Sequence, residues 1–293
     1  MELLQTREEL RAWRAEVGKR GVSLGFVPTM GALHAGHRSL IEASVRDNEL
    51  TAVSIFVNPT QFGPHEDFAR YPRTLEADLV LCRQAGVAAV FHPQTQDMYP
   101  PGFCTWVQVT GPLAESYEGA VRPGHFRGVA TVVLKLLLLV QPETAYFGQK
   151  DAQQAALVRR MVADLDVPVR IRVCPTVREA DGLALSSRNV YLSAEQRQHA
   201  SVLYRALLLG QARLLAGQRQ LAPVLEAMAG LVQATPGTVL DYVAAADPET
   251  FVPLETATGD VLLLLAVRFG ATRLIDNLLV PASLIGSASP RTS

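Results

Sequence analysis

Lysine is almost missing from this 293-residue chain: Lys19, Lys135 and Lys150 stand against a basic complement of 27 that is otherwise arginine. A lysine that does occur is therefore a candidate for a role that needs its compact ammonium. Cysteine is scarce too. Cys82, Cys104 and Cys174 lie far apart and form no CxxC or Cys/His cluster of metal-ligand spacing, which points to structural thiols in a reducing cytoplasm. No excess of charge exists, because 27 basic residues meet 28 acidic ones; the net charge of −1 removes the overall attraction that a nucleic-acid partner needs. No signal-type apolar stretch opens the chain, since Glu2, Arg7, Glu8, Glu9 and Arg11 interrupt it. The most apolar run, Val129 to Val140, contains Lys135 and falls well short of the ~20 residues that cross a bilayer. A soluble cytoplasmic protein with neither nucleic-acid nor membrane partners is expected.

What is present suffices for a core: 48% of the residues are hydrophobic and only 19% charged. The length suggests two domains at about 100–200 residues each. Val22 to Val27 reads as a strand, a Pro-Thr-Met-Gly turn follows, and Leu40, Ile41 and Val45 share one face of a helix from about His37 to Asp47. Leu50 to Val57 is a second strand, stopped by Asn58-Pro59. Strand, helix and strand in so few residues make a βαβ unit with parallel pairing. Further strands are expected at Val87–Phe91, Thr105–Val109, Thr144–Phe147 and Val169–Val173, alternating with helices at Leu75–Gln84, Phe126–Val140 and Ala152–Asp164. This order predicts an α/β fold with a Rossmann-like open parallel sheet over residues 1–176. Helices at Ala194–Ala216 and Ala222–Ala234 and strands at Val239–Ala246 and Val261–Phe269 then predict a smaller C-terminal α+β lid domain over 177–286, with 287–293 as a flexible tail.

The strongest local signal is Met30-Gly31-Ala32-Leu33-His34-Ala35-Gly36-His37, placed where the first strand hands over to a helix. Gly31 and Gly36 permit close backbone approach, and a helix N-terminus offers N–H groups and a positive dipole end to a phosphate. His34 and His37 are three apart, so one helical turn can present both imidazoles to one ligand. Two histidines that merely cap a helix are the alternative.

A strand followed by HxGH resembles the class I aminoacyl-tRNA synthetase-like nucleotidyltransferases, which activate substrates at the α-phosphate of ATP. Five further segments resemble one family within it, the pantothenate synthetases (pantoate–β-alanine ligases): Phe56 to Phe62, Tyr71 to Thr74, Arg122 to Gly128, Phe147 to Asp151 and Asp181 to Asn189. The resemblance runs on to Arg273-Leu274-Ile275-Asp276-Asn277. It implies that pantoate attacks ATP to give pantoyl adenylate and pyrophosphate, and that β-alanine then displaces AMP. It also implies Mg²⁺ beside ATP, and a homodimer; the apolar Thr105–Val109 region offers an interface for it.

By the same resemblance His37, with His34 beside it, is the catalytic donor, and Lys150, Ser186, Ser187 and Arg188 also face the reacting phosphate. The residues Met30 to His37, Gly148 to Asp151, Val177 and Leu185 to Arg188 hold the nucleotide: Gly148 and Asp151 at the ribose, Lys150 at the phosphates, Val177 through its backbone at adenine. Gln149 stands where the family more often has Glu. Gln61 and Gln154 bind pantoate, whose hydroxyls call for side chains that both donate and accept. Asn58, Tyr71 and Arg122 lie near the acid or the incoming amine. Ala77 replaces an acid that some relatives carry, so the protein ligands of Mg²⁺ stay open. Two other readings compete: a nucleotidylyltransferase that moves AMP onto a phosphate, and a silent nucleotide-binding protein. The presence of His34, His37, Lys150, Asp151, Ser187 and Arg188 together speaks against the second.

Overall fold

The computed structural model describes residues 1–63, 66 and 68–285, so the expected tail at 287–293 lies outside the described residues. The chain divides into two compact units, Met1–Gln149 with Gln153–Val177, and Lys150–Ala152 with Arg178–Ser293.

The first unit alternates strands and helices: β1 (Glu2–Leu4), α1 (Arg7–Arg20), β2 (Leu24–Thr29), α2 (Ala35–Asp47), β3 (Leu50–Ile55), a 3₁₀ turn (Pro59–Gln61), α3 (Leu75–Gln84) and β4 (Ala89–Phe91). Three single-turn helices follow, α4 (Thr95–Met98), α5 (Pro112–Glu115) and α6 (Glu118–Val121), then α7 (His125–Val140), β5 (Thr144–Gly148), α8 (Ala152–Asp164) and β6 (Arg170–Cys174). Among the described residues the six strands form one parallel sheet in the order β1-β4-β3-β2-β5-β6. From β2 the chain builds outward through β3 and β4 on one side, then crosses to β5 and β6 on the other. The switch point therefore lies between β2 and β5, where the connections leave in opposite directions and open a crevice at the carboxyl edge. Leu24, Phe26 and Val27 of β2 and Ala52 and Val53 of β3 are buried, as central parallel strands require. Pro28 sits in β2 at no loss, because β5 pairs with β2 only at Gly25 and Phe26.

The expected strand at Thr105–Val109 is not one. Residues 105–109 pair with no described strand, and the Val107 N–H donates to the Thr131 hydroxyl of α7 (3.0 Å). Trp106 packs on Tyr99 and Phe103 with Arg127 above its ring. Alternation encodes extension; a sheet also needs a free edge beside it. The apolar run at 129–140 is helix α7, which buries Val129, Val133, Leu136, Leu137 and Val140 against the sheet. No helix of the described residues is long and apolar enough to cross a membrane.

The second unit contains a 3₁₀ turn (Ser187–Tyr191), α9 (Ala194–Ala200), α10 (Val202–Leu215), α11 (Ala222–Gln233) and an antiparallel meander of β7 (Thr238–Ala246), β8 (Val261–Phe269) and β9 (Thr272–Val280). The continuous helix expected at 194–216 is interrupted at Ser201, whose hydroxyl turns back to the Gln198 carbonyl (3.4 Å). Leu203, Leu207, Val224, Met228, Leu263, Leu265 and Val267 form its core.

One helix docking matters directly to the site. The first turn of α7 meets the 3₁₀ turn after β3 so closely that a Cβ on Gly128 would lie 2.3 Å from the Thr60 carbonyl oxygen. Only glycine fits there. Beside it, buried His125 donates from Nδ1 to the Gln61 carbonyl (2.8 Å) and accepts at Nε2 from Arg122 (3.0 Å). Both ring nitrogens are thereby fixed in the neutral form. Burial, followed by the Arg122 charge, lowers its pKa from 6.5 to about 4. Between those values the unfolded chain binds a proton that the folded chain excludes. Stability should therefore be constant above pH 6.5 on this account and fall as pH drops toward 4, by up to roughly 3 kcal/mol. Urea unfolding of the parent and of His125→Gln at pH 7 and pH 4.5 checks this: the variant should lose less on acidification, and equal losses would dismiss the assignment.

Candidate active site

The loop from β2 to α2 holds two successive residues in the left-handed region, Gly31 at φ +83° and Ala32 at φ +50°. Glycine accepts this freely, alanine at some strain. A buried carboxylate from α3 maintains it: Asp78 Oδ2 accepts from the Ala32 N–H (3.0 Å) and Oδ1 from the Leu33 N–H (2.8 Å) and the Thr74 hydroxyl (3.1 Å). The sequence left the protein ligands of Mg²⁺ open, and Asp78 follows Ala77 directly. The structure uses it as the brace of the loop, and among the described residues no group of three or more His, Cys, Asp or Glu is arranged to hold a metal.

The loop delivers His34 as the N-cap of α2. Its Nδ1 accepts from the Gly36 N–H (3.1 Å), and the His34 N–H donates to His37 Nδ1 (3.3 Å), with the two rings 4.2 Å apart. The capping contacts engage the Nδ1 atom of each ring. Because each Nδ1 accepts, each proton sits on Nε2, and the paired rings carry two N–H donors at the positive end of a helix. The first turn of α2 contains no acidic residue, unlike α1 with Glu8 and Glu9 and α3 with Glu76 and Asp78. Nothing of its own thus neutralises that end, as an anion site requires.

Gln61 closes the 3₁₀ turn after β3 and is buried. Its Nε2 donates to the Met30 thioether (3.0 Å), which ties it to the histidine loop, and its Oε1 accepts from Asn58 Nδ2 (3.1 Å). Sulfur is a weak acceptor, so a hydroxyl or carboxylate oxygen is a better partner for that N–H. Asn58 is 1% exposed and its carboxamide is occupied: Nδ2 also donates to the Gly128 carbonyl (3.2 Å), while Oδ1 accepts from the Thr60 N–H (3.3 Å), the Thr60 hydroxyl (2.9 Å) and Tyr99 (2.8 Å). Arg122 grips Glu66 with Nε and Nη2 (2.7 and 2.6 Å) and touches the Gln61 carbonyl with Nη2 (3.4 Å). Asn58 and Arg122, expected near the acid or the incoming amine, also support Gln61 through these hydrogen bonds. Tyr71 is buried edge-on against Phe62 (5.8 Å). Gln154 lies half-buried in the first turn of α8, and its neighbour Gln153 is the structural one, binding the Leu113 and Ser116 carbonyls (3.0 and 2.8 Å). Gly148 ends β5, and Val177 follows β6.

The second unit carries the other candidates. Lys150 and Asp151 sit in a 3₁₀ turn (Gln149–Asp151), Nζ 3.5 Å from Oδ1. Ser186 caps the turn that begins with Ser187, accepting from the Arg188 N–H (3.2 Å). Sequence reasoning missed Asp78, Glu66 and His125, whose partners lie far along the chain. Short-range hints exist for Asp78, four residues after Thr74, and for His125, three after Arg122.

Comparison with known proteins agrees with this geometry. The family model described as pantoate-beta-alanine ligase matches residues 2–279. A pantothenate synthetase of Moorella thermoacetica is 58% identical over 96% of this chain and 99% of its own, and one of Thermus thermophilus is 54% identical over 94% and 99%. The solved Thermus thermophilus enzyme superposes with a TM-score of 0.90 at 52% identity, covering 95% of this chain and 99% of its own. A pantoate-beta-alanine ligase from Francisella tularensis, solved with a beta-gamma ATP compound and beta-alanine, superposes with a TM-score of 0.78 at 35% identity over 95% of this chain and 97% of its own. A parallel sheet with a histidine-capped helix at its switch point, in a chain that the family model matches over residues 2–279, places this chain in the pantoate–β-alanine ligase family.

Proposed function

We propose that the chain joins pantoate to β-alanine in two steps with ATP. A pantoate carboxylate oxygen attacks the α-phosphorus, the bond to the bridging oxygen of the β-phosphate breaks, and pyrophosphate leaves. The β-alanine amine then attacks the acyl carbon of pantoyl adenylate, the acyl C–O bond breaks, AMP leaves, and the amine loses a proton. The observation that carries this reading is the pair of imidazoles whose Nδ1 atoms both accept from backbone N–H groups, which puts the proton of each ring on Nε2 at the start of a helix whose first turn has no acidic residue. Charge builds on phosphoryl oxygens in the first step, and preset donors lower that barrier without reorganising.

His37 is the principal donor and His34 its neighbour. Lys150, Ser186, Ser187 and Arg188 contribute further donors, with Gly148 and Asp151 at the ribose and the Val177 backbone at adenine. Gln61 and Gln154 hold pantoate. In this reading residues 177–286 act as the lid that bears the serine-arginine loop. Mg²⁺ arrives on the triphosphate, whose oxygens can supply most of its ligands; the Asp78 carboxylate is engaged by the loop, so no residue is assigned to the metal. The same proposal includes a homodimer through the 105–109 segment and the adjoining face of α7, where Trp106 and Leu138 are 41% and 57% exposed, and a cytoplasmic location.

Three measurements test it. Labelled pyrophosphate should exchange into ATP when pantoate is supplied without β-alanine, and the full reaction should yield AMP; formation of ADP and phosphate would falsify the adenylate route. His37→Ala should lower the exchange rate by about 10²–10³-fold while losing only ~1 kcal/mol of stability with the cap contact. Turnover at the parent rate in a folded variant removes His37 from the chemistry. Gln61→Ala and Gln154→Ala should each raise the pantoate KM by about one to two orders of magnitude, from polar groups left unpaired at ~1–3 kcal/mol. ATP affinity by calorimetry should stay close to the parent's, and the reverse pattern would show the two ligands to be wrongly assigned.

A further inference from the structure

Strands bury alternate residues, and β9 departs from this at Asp276 and Asn277, which are adjacent and both buried. Asp276 continues the buried series of Thr272, Leu274 and Val280; Asn277 is therefore buried on the opposite face, among partly exposed neighbours. A carboxylate at a core position is costly, and burial pushes the Asp276 carboxyl above its usual range against the opposing pull of Arg178. Arg178 answers with two hydrogen bonds, Nη1 to Oδ2 (2.6 Å) and Nη2 to Oδ1 (3.0 Å). The same guanidinium reaches the Gly182 carbonyl (3.1 Å) and lies 4.0 Å above the Tyr204 ring. Net stability does not account for such a pair, because apolar residues in its place are often as stabilising or more so. What it does is fix a position. Arg178 opens the segment that bridges to Ala184 and runs on to Ser186, Ser187 and Arg188, and the turn from Ser187 packs on β9.

Asn277 performs the matching task for a different segment. Its Nδ2 donates to the main-chain carbonyl of Lys150 (2.9 Å), and its own N–H donates to Asp276 Oδ1 (2.8 Å). Two neighbouring residues of one strand therefore anchor two segments that are separated by about thirty residues of chain. Each segment carries cationic side chains, Lys150 in one and Arg188 in the other.

We infer that Asp276 and Asn277 are a positioning dyad that holds Lys150 and the Ser186–Arg188 segment in register, Asn277 through the Lys150 carbonyl and Asp276 through Arg178. The inference rests on the reading of Lys150 and Arg188 as groups that meet the phosphates of ATP. Misplacing a reacting or stabilising group by about 1 Å can lower a rate by ~10²-fold, so the dyad should act on the rate more than on stability.

The test compares Asn277→Leu, Lys150→Ala and the double substitution of Arg178→Met with Asp276→Leu in the full chain. For each, the pyrophosphate-exchange kcat, the pantoate KM and the melting temperature are measured. Asn277→Leu fills the space but cannot donate; its exchange kcat should fall by about 10–100-fold, with the pantoate KM and melting temperature near the parent's. The double variant, apolar in place of the ion pair, should melt near the parent and exchange about tenfold slower or worse. Exchange at the parent rate by a folded Asn277→Leu overturns the dyad while Lys150→Ala is inactive. Should Asn277→Leu not fold, parent-like exchange by the double variant overturns it equally. Parent-like exchange by Lys150→Ala instead removes the phosphate-binding reading on which the dyad depends.

Discussion

A single buried carboxylate braces the loop that delivers His34 to the head of α2. Two consecutive left-handed residues are an unfavourable way to leave a strand, and Ala32 in particular gains nothing locally from φ +50°. The Asp78 carboxylate, reaching from α3, collects the N–H groups that this conformation exposes. With the loop so held, His34 arrives at the N-cap in extended conformation, the backbone N–H groups take both Nδ1 atoms, and the tautomers follow. Removing the brace would free the loop before it altered any group that meets substrate.

The same economy of means recurs around Gln61. Its side chain is steadied by an asparagine that is itself saturated with partners, and its carbonyl by an imidazole whose second nitrogen is filled by an arginine, which is in turn gripped by Glu66. Asn58, Gln61 and His125 are buried, Arg122 and Glu66 are partly exposed, and each is hydrogen-bonded, the condition under which such networks rigidify a site rather than weaken it. A glutamine set this firmly presents its amide in one orientation.

In the second unit a polar strand replaces polar loops as the organising device. Asp276 and Asn277 also explain why β9 was not visible as a strand. A charged and an amide residue split the apolar pairs Leu274-Ile275 and Leu278-Leu279, so the pattern does not read as half-buried β structure until the partners are known. β1 was missed for a simpler reason, since three residues at a sheet edge carry too little periodicity. The opposite error at Thr105–Val109 arose because alternation was present and a pairing edge was not.

Local chemistry made the parallel sheet, the long helices and the histidine-capped turn legible in the sequence: buried β-branched runs, helical spacing of leucines and the glycines around His34 and His37 act over a few residues, and their physics is complete within that distance. Family resemblance, not spacing, supplied Gln61, Gln154, Lys150 and the Ser186–Arg188 segment. Tertiary structure alone decided how these side chains are held. Asp78 meets Ala32 and Leu33 from 45 residues or more away, His125 meets Gln61 from 64, and Asn277 meets Lys150 from 127. A hydrogen bond depends on position within a few tenths of an ångström, and no property of a lone Asp, His or Asn in a sequence specifies which distant carbonyl or N–H the folded chain will bring to it.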